Sequence, residues 1–354
     1  MKIAVLGGSF NPVHRGHIFL AETVVEKLGY GLVILVPAYI SPFKQGEPAG
    51  DEERRKERAE ERLARLLAAV EGKRRLTVDD CELCRAGVSY TIDTVADIVE
   101  RYRPDGKPGL VIGDDLAAEF PRWRRAAEIA ERCDLSVADR TGGGAAVPFP
   151  HVKLGNAVVP VSSSMVRAKI AKGEDWDVFA PEQGGNGDSV EAKVRAMLPS
   201  GRFLHSRNVA LLAVTLAGRF GLNGDDAYLA GIAHDMAKEL SSPLGHGGMA
   251  AAMLAEQYGV ANEDVLEAVR CHTEGEIGMG KLAKIIYIAD KVEPRRRSVE
   301  PRLREMCKTA PLEELFREIV RETHVFLERK GVVISENARR LSRFLEEGGG
   351  GGGE

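Results

Sequence analysis

The first half of this 354-residue chain alternates short runs of branched apolar residues with stretches of helical periodicity. The runs KIAVLGG and LVILVPA flank HIFLAETVVEKLGY, and RLTVDD, GLVIGDD, DLSVAD and NAVVPV follow with helical patterns between them. Strands that alternate with helices form βαβ units, in which the strands are parallel and helices cover both faces of the sheet. We therefore predict an α/β fold, a doubly wound, Rossmann-like parallel sheet, over residues 1–183.

From Ser189 onwards the sequence is helical almost throughout, as in SRNVALLAVTLAGRF and KLAKIIYIADKVEP. The stretch APEQGGNGDS separates the halves, and its Gly, Asn and Asp content is typical of a flexible linker. We predict a linker over residues 184–188 and an all-α helical bundle over residues 189–346. The glycine-rich end, residues 347–354, cannot pack and is predicted to be disordered.

Composition excludes several classes of protein. A 44% hydrophobic and 29% charged chain of net charge −4 indicates a globular protein rather than a general nucleic-acid binder. No run approaches the roughly 20 apolar residues that span a bilayer. Five scattered cysteines suit a reducing compartment, so we predict a cytoplasmic protein.

The segment GGSFNPVHRGH, Gly7 to His17, joins the first strand to the first helix. Its glycines let backbone N–H groups approach a phosphate, and the start of the helix adds a partial positive charge. His14 and His17 lie three residues apart, so both imidazoles can face one space and donate hydrogen bonds to phosphate oxygens. The segment is neither a P-loop nor the dinucleotide G-x-G-x-x-G motif. It predicts a phosphate site of another kind.

A second helix start carries similar signals. The serines of VSSSMVR suit an N-cap, which leaves backbone N–H groups free for an anion. Arg167 in the first turn adds a forked, permanently charged donor. A cation at that end does not favour the helix dipole, so its presence favours ligand binding. Both helix starts are expected at the carboxyl ends of the parallel strands, where such sheets bind ligands.

These segments resemble the nucleotidylyltransferases that carry G-G-[ST]-F-[DN]-P-x-H-x-G-H, in particular the bacterial nicotinate mononucleotide adenylyltransferases. The resemblance implies in-line attack of the mononucleotide phosphate on the α-phosphorus of ATP, with Mg²⁺ shielding the triphosphate. It implies catalytic roles for His14, His17, Lys44 and Arg167. It implies that Tyr90 and Thr91 hold the nicotinate carboxylate and that Trp123, which alone would suggest packing, stacks on the pyridine ring. The other implied substrate-binding residues are Gly7, Gly8, Ser9, Phe10, Gly113, Asp115, Ser162, Ser163 and Ser164.

The helical half holds five of the eight histidines. His234 and Asp235 are adjacent in the helical stretch AYLAGIAHDMAKEL, and an aspartate is rarely buried unless it is paired or bound to a metal. His205 upstream and Asp290 downstream complete a set of nitrogen and oxygen ligands. Such a set suits a transition metal better than magnesium, which prefers oxygen ligands alone.

This half resembles the HD-domain metal-dependent phosphohydrolases, in particular the bacterial group that splits diadenosine tetraphosphate symmetrically. The resemblance implies a metal site, with iron as the first choice and manganese or others as alternatives, and a metal-activated water. Lys238 and the arginines Arg295 to Arg297 would face the anionic substrate, and Asp235 and Lys238 would be catalytic. His324 matches nothing in the family and is predicted to be a surface or core residue. The implied metal ligands are His205, His234, Asp235, His246, His272 and Asp290.

The sequence thus predicts a bifunctional enzyme whose partners are ATP, nicotinate mononucleotide and diadenosine tetraphosphate, with no nucleic acid and no membrane. One alternative makes the helical half a non-catalytic nucleotide-sensing module that regulates the transferase. Another makes nicotinamide mononucleotide or phosphopantetheine the acceptor. The number of metals, the oligomeric state, including a homo-oligomer, and the coupling of the two sites stay open.

Overall fold

The computed structural model of the chain describes residues 1–42, 52–141, 147–181 and 189–348. The chain divides into two compact units, residues 1–186 and 187–354. The first unit is built on a sheet flanked by helices, whereas the described part of the second contains helices and no strand. None of the described helices combines the length and the apolarity that crossing a membrane requires.

The first unit alternates strands with helices along the chain. Its strands are β1 (Ile3–Gly8), β2 (Leu32–Pro37), β3 (Leu76–Val78), β4 (Gly109–Gly113), β5 (Asp134–Ala138) and β6 (His151–Lys153). Its helices are α1 (Arg15–Leu28), α2 (Glu52–Ala69), α3 (Cys81–Arg85), α4 (Thr91–Tyr102), α5 (Asp114–Ala117), α6 (Ala126–Arg132) and α7 (Ser163–Ala171), with 3-10 turns at Phe120–Arg122 and Asp177–Phe179.

All pairings in this sheet are parallel, and the strand order is β3-β2-β1-β4-β5-β6. The central strand β1 is buried from Ile3 to Leu6, and Leu6 pairs with Leu35 of β2 and Val111 of β4. The strand order therefore reverses between β1 and β4, which opens a crevice at their carboxyl ends. The predicted doubly wound parallel sheet is confirmed, and this crevice is where its ligand site is expected.

The prediction of a strand at NAVVPV is wrong. The sixth strand is His151–Lys153, and residues 156–161 run beside the sheet as irregular chain. The Asn156 side chain accepts a hydrogen bond from the Asp139 N–H and donates to the Asp139 carbonyl, which holds this segment at the end of β5. Pro160 has no N–H to give to a ladder. The segment therefore borders the crevice instead of extending the sheet.

The second unit is a bundle of nine described helices. They are α8 (Val190–Met197), α9 (Ser200–Arg219), α10 (Gly224–Ala233), α11 (Gly245–Tyr258), α12 (Glu263–Cys271), α13 (Lys281–Val292), α14 (Pro301–Thr309), α15 (Leu312–Arg329) and α16 (Glu336–Glu346). Helix α13 is buried along most of its length and packs against α9, α10, α12 and α15. It therefore forms the centre of this unit, and the predicted helical bundle is confirmed.

Two glycines set the close approach of helices around α13. A Cβ at Gly231 of α10 would lie 2.5 Å from the Ala210 Cα of α9, and one at Gly247 of α11 would lie 2.9 Å from the Val269 carbonyl of α12. Only glycine allows backbones to pack at this distance. These contacts bring α9 close to α10 and α11 close to α12, and each of these helices carries or adjoins a predicted metal ligand.

The prediction that His234 and Asp235 lie inside a helix is wrong in one detail. Helix α10 ends at Ala233, and the chain continues in tight turns closed by bonds from the Met236 N–H to the Ala233 carbonyl and from the Lys238 N–H to the Asp235 carbonyl. Such bonds across three residues wind the backbone more tightly than an α-helix. The two predicted metal ligands, His234 and Asp235, therefore lie directly after the end of α10.

Candidate functional site

A cavity of about 800 Å³ opens in the first unit at the carboxyl ends of β1 and β4. Lys44, a predicted catalytic residue, lies outside the described residues. Every other predicted site residue of this half lines the cavity, namely Gly7, Gly8, Ser9, Phe10, His14, His17, Tyr90, Thr91, Gly113, Asp115, Trp123, Ser162, Ser163, Ser164 and Arg167. Residues that are far apart in the sequence thus share one space. We call the part around His14 and His17 the histidine end, and the part around Tyr90, Thr91 and Trp123 the aromatic end.

The loop after β1 is bent sharply at the histidine end. A Cβ at Gly7 would meet nothing within 4 Å, because the space above this glycine is the cavity itself. Phe10 has a φ of 43°, in the left-handed region, although it is not a glycine. Such a conformation costs on the order of 1–3 kcal/mol and persists where the surroundings enforce it. Here the Phe10 ring is buried and packs edge-on against His17, with ring centroids 4.9 Å apart.

The imidazoles of His14 and His17 stack with ring centroids 3.7 Å apart. The backbone N–H of His14 donates to Nδ1 of His17 at 3.2 Å, so neutral His17 carries its proton on Nε2. Both ring nitrogens of His14 are buried, and neither has a hydrogen-bond partner among the described residues. Buried polar atoms without partners are rare in folded proteins. A ligand with polar atoms at the histidine end would satisfy them.

Both histidines are neutral near pH 7. Burial, with a smaller contribution from the charge of Arg140, lowers the pKa of His14 to about 4. Burial, followed by the neighbouring His14 and Arg140, holds the pKa of His17 well below its usual range. The imidazoles therefore act as hydrogen-bonding groups rather than as fixed charges. Positive charge at this end comes from arginines and from the starts of α1 and α7.

Helix α7 is fastened to the loop that carries the histidines. The Ser162 Oγ accepts from the Met165 N–H at 3.2 Å, which makes Ser162 the N-cap. The Ser163 hydroxyl donates to the Pro12 carbonyl at 3.0 Å, and the Arg167 guanidinium donates to the Asn11 carbonyl at 2.6 Å. These bonds bring the starts of α1 and α7 to the same end of the cavity. Arg167 thus holds the loop while it lines the cavity.

Arg140 is a cavity residue that the sequence analysis did not identify. It follows β5, and its guanidinium pairs with Asp115 at 3.0 Å beside Gly113. Its backbone N–H donates to the buried carboxylate of Asp114 at 3.0 Å, which also accepts from the Thr141 hydroxyl at 2.9 Å. Its position just after a predicted strand could have identified Arg140, because residues at the carboxyl ends of parallel strands often bind ligands.

The aromatic end is formed by the start of α4 and the chain before α6. Helix α4 begins at Thr91, and the half-buried Trp123 ring lies 5.1 Å from the Phe120 ring. Glu82, which the sequence analysis missed, also lines the cavity and accepts a hydrogen bond from the Thr94 hydroxyl. Burial raises the pKa of Glu82. This end therefore combines aromatic surface with a hydrogen-bonded carboxyl group.

The predicted metal ligands of the second unit converge. His205 Nε2 lies 3.1 Å from Asp290 Oδ1, and His234 Nε2 lies 3.9 Å from carboxylate oxygens of both Asp235 and Asp290. On the other side of Asp235, His272 Nε2 lies 3.4 Å from Oδ1. His246 joins them, with Nε2 3.2 Å from Asp235 Oδ1. Three helices (α9, α11 and α13) and the residues directly after α10 and α12 thus bring four imidazoles to two carboxylates.

Hydrogen bonds on the outer nitrogens orient three of these rings. Nδ1 of His234 lies 2.7 Å from the Gly231 carbonyl, and Nδ1 of His272 lies 2.7 Å from the Val269 carbonyl. Nδ1 of His205 lies 3.1 Å from the buried carboxylate of Glu293. A carbonyl or carboxylate partner keeps the proton on Nδ1 and leaves the lone pair of Nε2 for a cation. This arrangement is typical of metal-ligating histidines.

The residues present fit a transition metal. His234 Nε2 is fully buried and has no hydrogen-bond partner within the described residues. It belongs to two overlapping groups, one with His205 and Asp290 and one with Asp235 and His272, whose ligand atoms lie within 4.8 Å of one another. A set of donors that contains imidazole nitrogens as well as carboxylate oxygens favours a transition metal over magnesium.

Both carboxylates of this cluster are ionised. Burial opposes ionisation of Asp235, but hydrogen bonds with His246 and His272 hold the pKa of its carboxyl below the usual range. Burial likewise opposes ionisation of Asp290, and the charge of Lys291 with a hydrogen bond from His205 keeps its pKa well below normal. Buried negative charge of this kind requires cations close by.

Basic side chains border the cluster. Lys238 Nζ lies 3.3 Å from Asp235 Oδ1, as expected for a residue three positions further on. Arg295, the predicted substrate-binding arginine, instead donates to the Gly201 carbonyl at 2.8 Å, and Arg296 contacts Asp290 Oδ1 at 2.7 Å. Arg296 was predicted, together with Arg295 and Arg297, to face the anionic substrate. Lys291 and Glu293 were missed, although they follow Asp290 closely in the sequence. His324 lies in α15, apart from these contacts.

Comparison with known proteins finds two family models in the chain. The cytidylyltransferase-like model matches residues 5–169, and the HD domain model matches residues 202–295. A probable nicotinate-nucleotide adenylyltransferase of Treponema pallidum (strain Nichols) is 35% identical over 196 residues, which cover 51% of this chain and 93% of that protein. Another, of Streptococcus pyogenes serotype M18, is 32% identical over 182 residues, covering 51% of this chain and 83% of that protein.

A solved structure is similar to part of the chain. It is an HD superfamily hydrolase, described as involved in NAD metabolism, from Clostridium acetobutylicum. It is 27% identical, covers 46% of this chain and 98% of that chain, and has a TM-score of 0.43.

Proposed function

Because this chain belongs to the nicotinate-nucleotide adenylyltransferase family through its N-terminal half and contains an HD domain in its C-terminal half, we propose that it is a bifunctional enzyme. The first unit transfers the adenylyl group of ATP to nicotinate mononucleotide and releases nicotinate adenine dinucleotide and pyrophosphate. The second unit hydrolyses a nucleotide polyphosphate, with diadenosine tetraphosphate split into two ADP as the specific reaction. The cytoplasm remains the predicted compartment, and 1–183 and 189–346 remain the predicted domain bounds.

The observation that carries the first activity is the pair of unpartnered ring nitrogens of buried His14. His14 lines a cavity that two helix starts and Arg167 also border at the histidine end. Phosphate oxygens of ATP, which enters as its magnesium complex, supply the partners that these nitrogens lack. The neutral state of both imidazoles suits donors that stabilise charge as it develops on the α-phosphate.

The mechanism needs no covalent intermediate. The phosphate of the mononucleotide attacks the α-phosphorus in line, and pyrophosphate leaves from the opposite side. The Nε2–H of His17 donates to an oxygen of the reacting phosphate, and the fastened starts of α1 and α7 align the two substrates. At the aromatic end, Tyr90 and Thr91 take the nicotinate carboxylate and Trp123 stacks on the pyridine ring.

The test of this activity is a product assay on the full chain with ATP and each candidate acceptor. We expect pyrophosphate and the dinucleotide to form faster with nicotinate mononucleotide than with nicotinamide mononucleotide. Replacing Thr91 with alanine should lower nicotinate use selectively, whereas replacing Trp123 with alanine should lower the use of both pyridine mononucleotides. Turnover with nicotinamide mononucleotide or phosphopantetheine alone would contradict the assignment.

The observation that carries the second activity is the buried, unpartnered Nε2 of His234 between two carboxylates. His205, His234, Asp235 and Asp290 would hold a metal, and His246 and His272 would extend the site. A bound transition metal lowers the pKa of its water and so supplies a nucleophile at neutral pH. Lys238 and Arg296 neutralise the polyphosphate, and Glu293 keeps His205 in the orientation that ligation needs.

The test of this activity combines metal analysis with product analysis. We expect the full chain to retain a transition metal, iron first, and to release ADP from diadenosine tetraphosphate. Release of AMP and ATP instead would contradict symmetrical cleavage. Nucleotide binding without turnover, at full metal content, would favour a sensing module that regulates the transferase.

A further inference from the structure

Three arginines, Arg122, Arg124 and Arg125, lie next to Trp123 in the sequence, and their partners differ. Arg122 pairs with Glu119 and Arg125 pairs with Glu128, each at 2.5 Å. Arg124 has no carboxylate within ion-pair distance among the described residues. Its guanidinium lies over the Tyr90 ring, with Cζ 4.6 Å from the ring centroid. One of the three charges is therefore held against an aromatic ring and not neutralised by an acid.

Arg124 belongs to the wall of the cavity although it is exposed. It lines the cavity together with Tyr90, Thr91 and Trp123. An arginine stacked on an aromatic face keeps the N–H groups at its edge free, and these match a carboxylate in a forked pair. Stacking also restricts the long side chain before a ligand binds, which lowers the entropy cost of the pair.

The carboxylates at the cavity do not cancel this charge. Asp115 is paired with Arg140, buried Glu82 accepts from Thr94 and lies on α3, and Asp139 directly follows β5. A ligand group at the aromatic end therefore meets the guanidinium of Arg124, which has no carboxylate within ion-pair distance among the described residues. Nicotinate and nicotinamide have nearly the same shape but differ there by one negative charge. Charge, more than shape, can separate them.

We infer that Arg124, held on the Tyr90 ring, is a specificity-determining residue that selects an acidic over an amide-bearing pyridine nucleotide. The guanidinium pairs with the ring carboxylate of the acceptor and adds to what Tyr90 and Thr91 provide. The inference rests on the proposed transferase function and deepens it. Stacking on Trp123 cannot create this preference, because an aromatic ring stacks equally well on nicotinate and on nicotinamide. The charge of Arg124 can distinguish the two.

The experiment compares Arg124→Gln and Arg124→Lys with the control Arg125→Gln in the full chain. Values of kcat/KM are measured for nicotinate and nicotinamide mononucleotide. One charge-assisted hydrogen bond at a solvent-facing site is worth about tenfold, so Arg124→Gln should lower kcat/KM for the acid about tenfold, through KM, and leave the amide within about twofold. Arg124→Lys should retain part of the preference, because it keeps the charge and loses the fork. The control, which removes the same charge from the adjacent residue, should change neither acceptor.

An equal fall for both acceptors in Arg124→Gln would overturn the inference, because it would indicate a role in the common phosphate or in folding. No change for either acceptor would also overturn it. Calorimetric binding of each mononucleotide, without ATP, separates this result from the proposed function. If the protein binds the acid more tightly than the amide and this preference disappears in Arg124→Gln, the inference is supported even where no adenylyl transfer occurs. A lack of adenylyl transfer overturns the proposed activity alone. Binding of neither mononucleotide overturns both.

Discussion

His14 and His17 lie in a wide cavity and contact no carboxylate among the described residues, whereas His205, His234, His246 and His272 each lie within 3.1–3.9 Å of Asp235 or Asp290. In the first unit burial lowers the pKa of His14 to about 4. In the second, burial opposes protonation of His205, but hydrogen bonds with Asp290 and Glu293 raise its pKa to about 9. The histidines of the first unit therefore lie away from carboxylates, in a space that suits an anion, whereas those of the second lie among carboxylates that attract a cation.

The difference lies in the neighbours and not in the histidines. Where backbone N–H groups and arginines surround the imidazoles, the site lacks negative charge and suits phosphates. Where buried carboxylates surround them, the site lacks positive charge and suits a metal. We therefore expect that a substitution or metal removal that impairs one site leaves the activity of the other unchanged.

The largest expected effect is the loss of the second site alone. His234→Asn removes the ligand that both groups of candidate ligands share, so we expect loss of most bound metal and a fall in hydrolysis beyond about 1,000-fold, since metal-activated water supplies the nucleophile. Metal content and ADP release measure it, and adenylyl transfer should be unchanged. His324→Asn, in the same unit, is the control and should keep both metal and hydrolysis. Full metal retention in His234→Asn would contradict the metal assignment.

The next effect concerns the first site alone. His14→Ala removes a donor to the reacting phosphate, and loss of one such donor costs about 100- to 1,000-fold in kcat. We expect the KM for the mononucleotide to change little, because the aromatic end binds the ring. Steady-state adenylyl transfer measures both parameters, while hydrolysis in the same preparation reports correct folding of the other unit. A rise in KM at unchanged kcat would instead assign His14 to ground-state binding.

Stability of the first unit should depend on pH through its buried histidines. The pKa of His14 is about 4 in the folded protein and 6.5 ordinarily, so the unfolded chain binds more protons between these values. The contribution is therefore complete above pH 6.5 and is lost as the pH falls towards 4, up to about 3 kcal/mol of the free energy of unfolding. Both tryptophans, Trp123 and Trp176, belong to this unit, so their fluorescence in urea follows its unfolding.

The matched variant for this measurement is His14→Asn, which keeps a polar side chain but does not titrate. Its free energy of unfolding should fall less steeply between pH 6.5 and 4, with the remaining slope due to His17. An identical slope in both proteins would show that His14 is not buried in its neutral form.

The smallest expected effect concerns Glu293, which orients the predicted metal ligand His205. Glu293→Gln weakens the acceptor that keeps the proton of His205 on Nδ1, and loss of such an outer partner typically costs about 10- to 100-fold in metal affinity. Competition with a chelator of known affinity measures it. Glu256→Gln, an exposed glutamate on α11, is the control and should leave the affinity unchanged. A loss of less than about threefold would limit Glu293 to a packing role.

Much of the fold could be predicted because its signals are local. Alternation of branched apolar runs with helical periods predicts the parallel sheet, and the serine N-cap of α7 is visible in three letters. The strand at NAVVPV was wrong because Asn156 hydrogen bonds to Asp139, a contact across the fold that no window of sequence contains. The end of α10 at Ala233 was likewise hidden, since apolar periodicity continues past it.

The sequence by itself determined which chemical groups are present and which of them lie at the turns between strands and helices. Only the tertiary structure decided their protonation, orientation and partners. Arg140, Glu293 and Arg124 acquire their significance from Asp115, His205 and Tyr90, residues that are distant along the chain. The physical reason is that charge and hydrogen-bond energies depend on distance and on exclusion of water, which are set when the chain packs and cannot be inferred from the order of its residues.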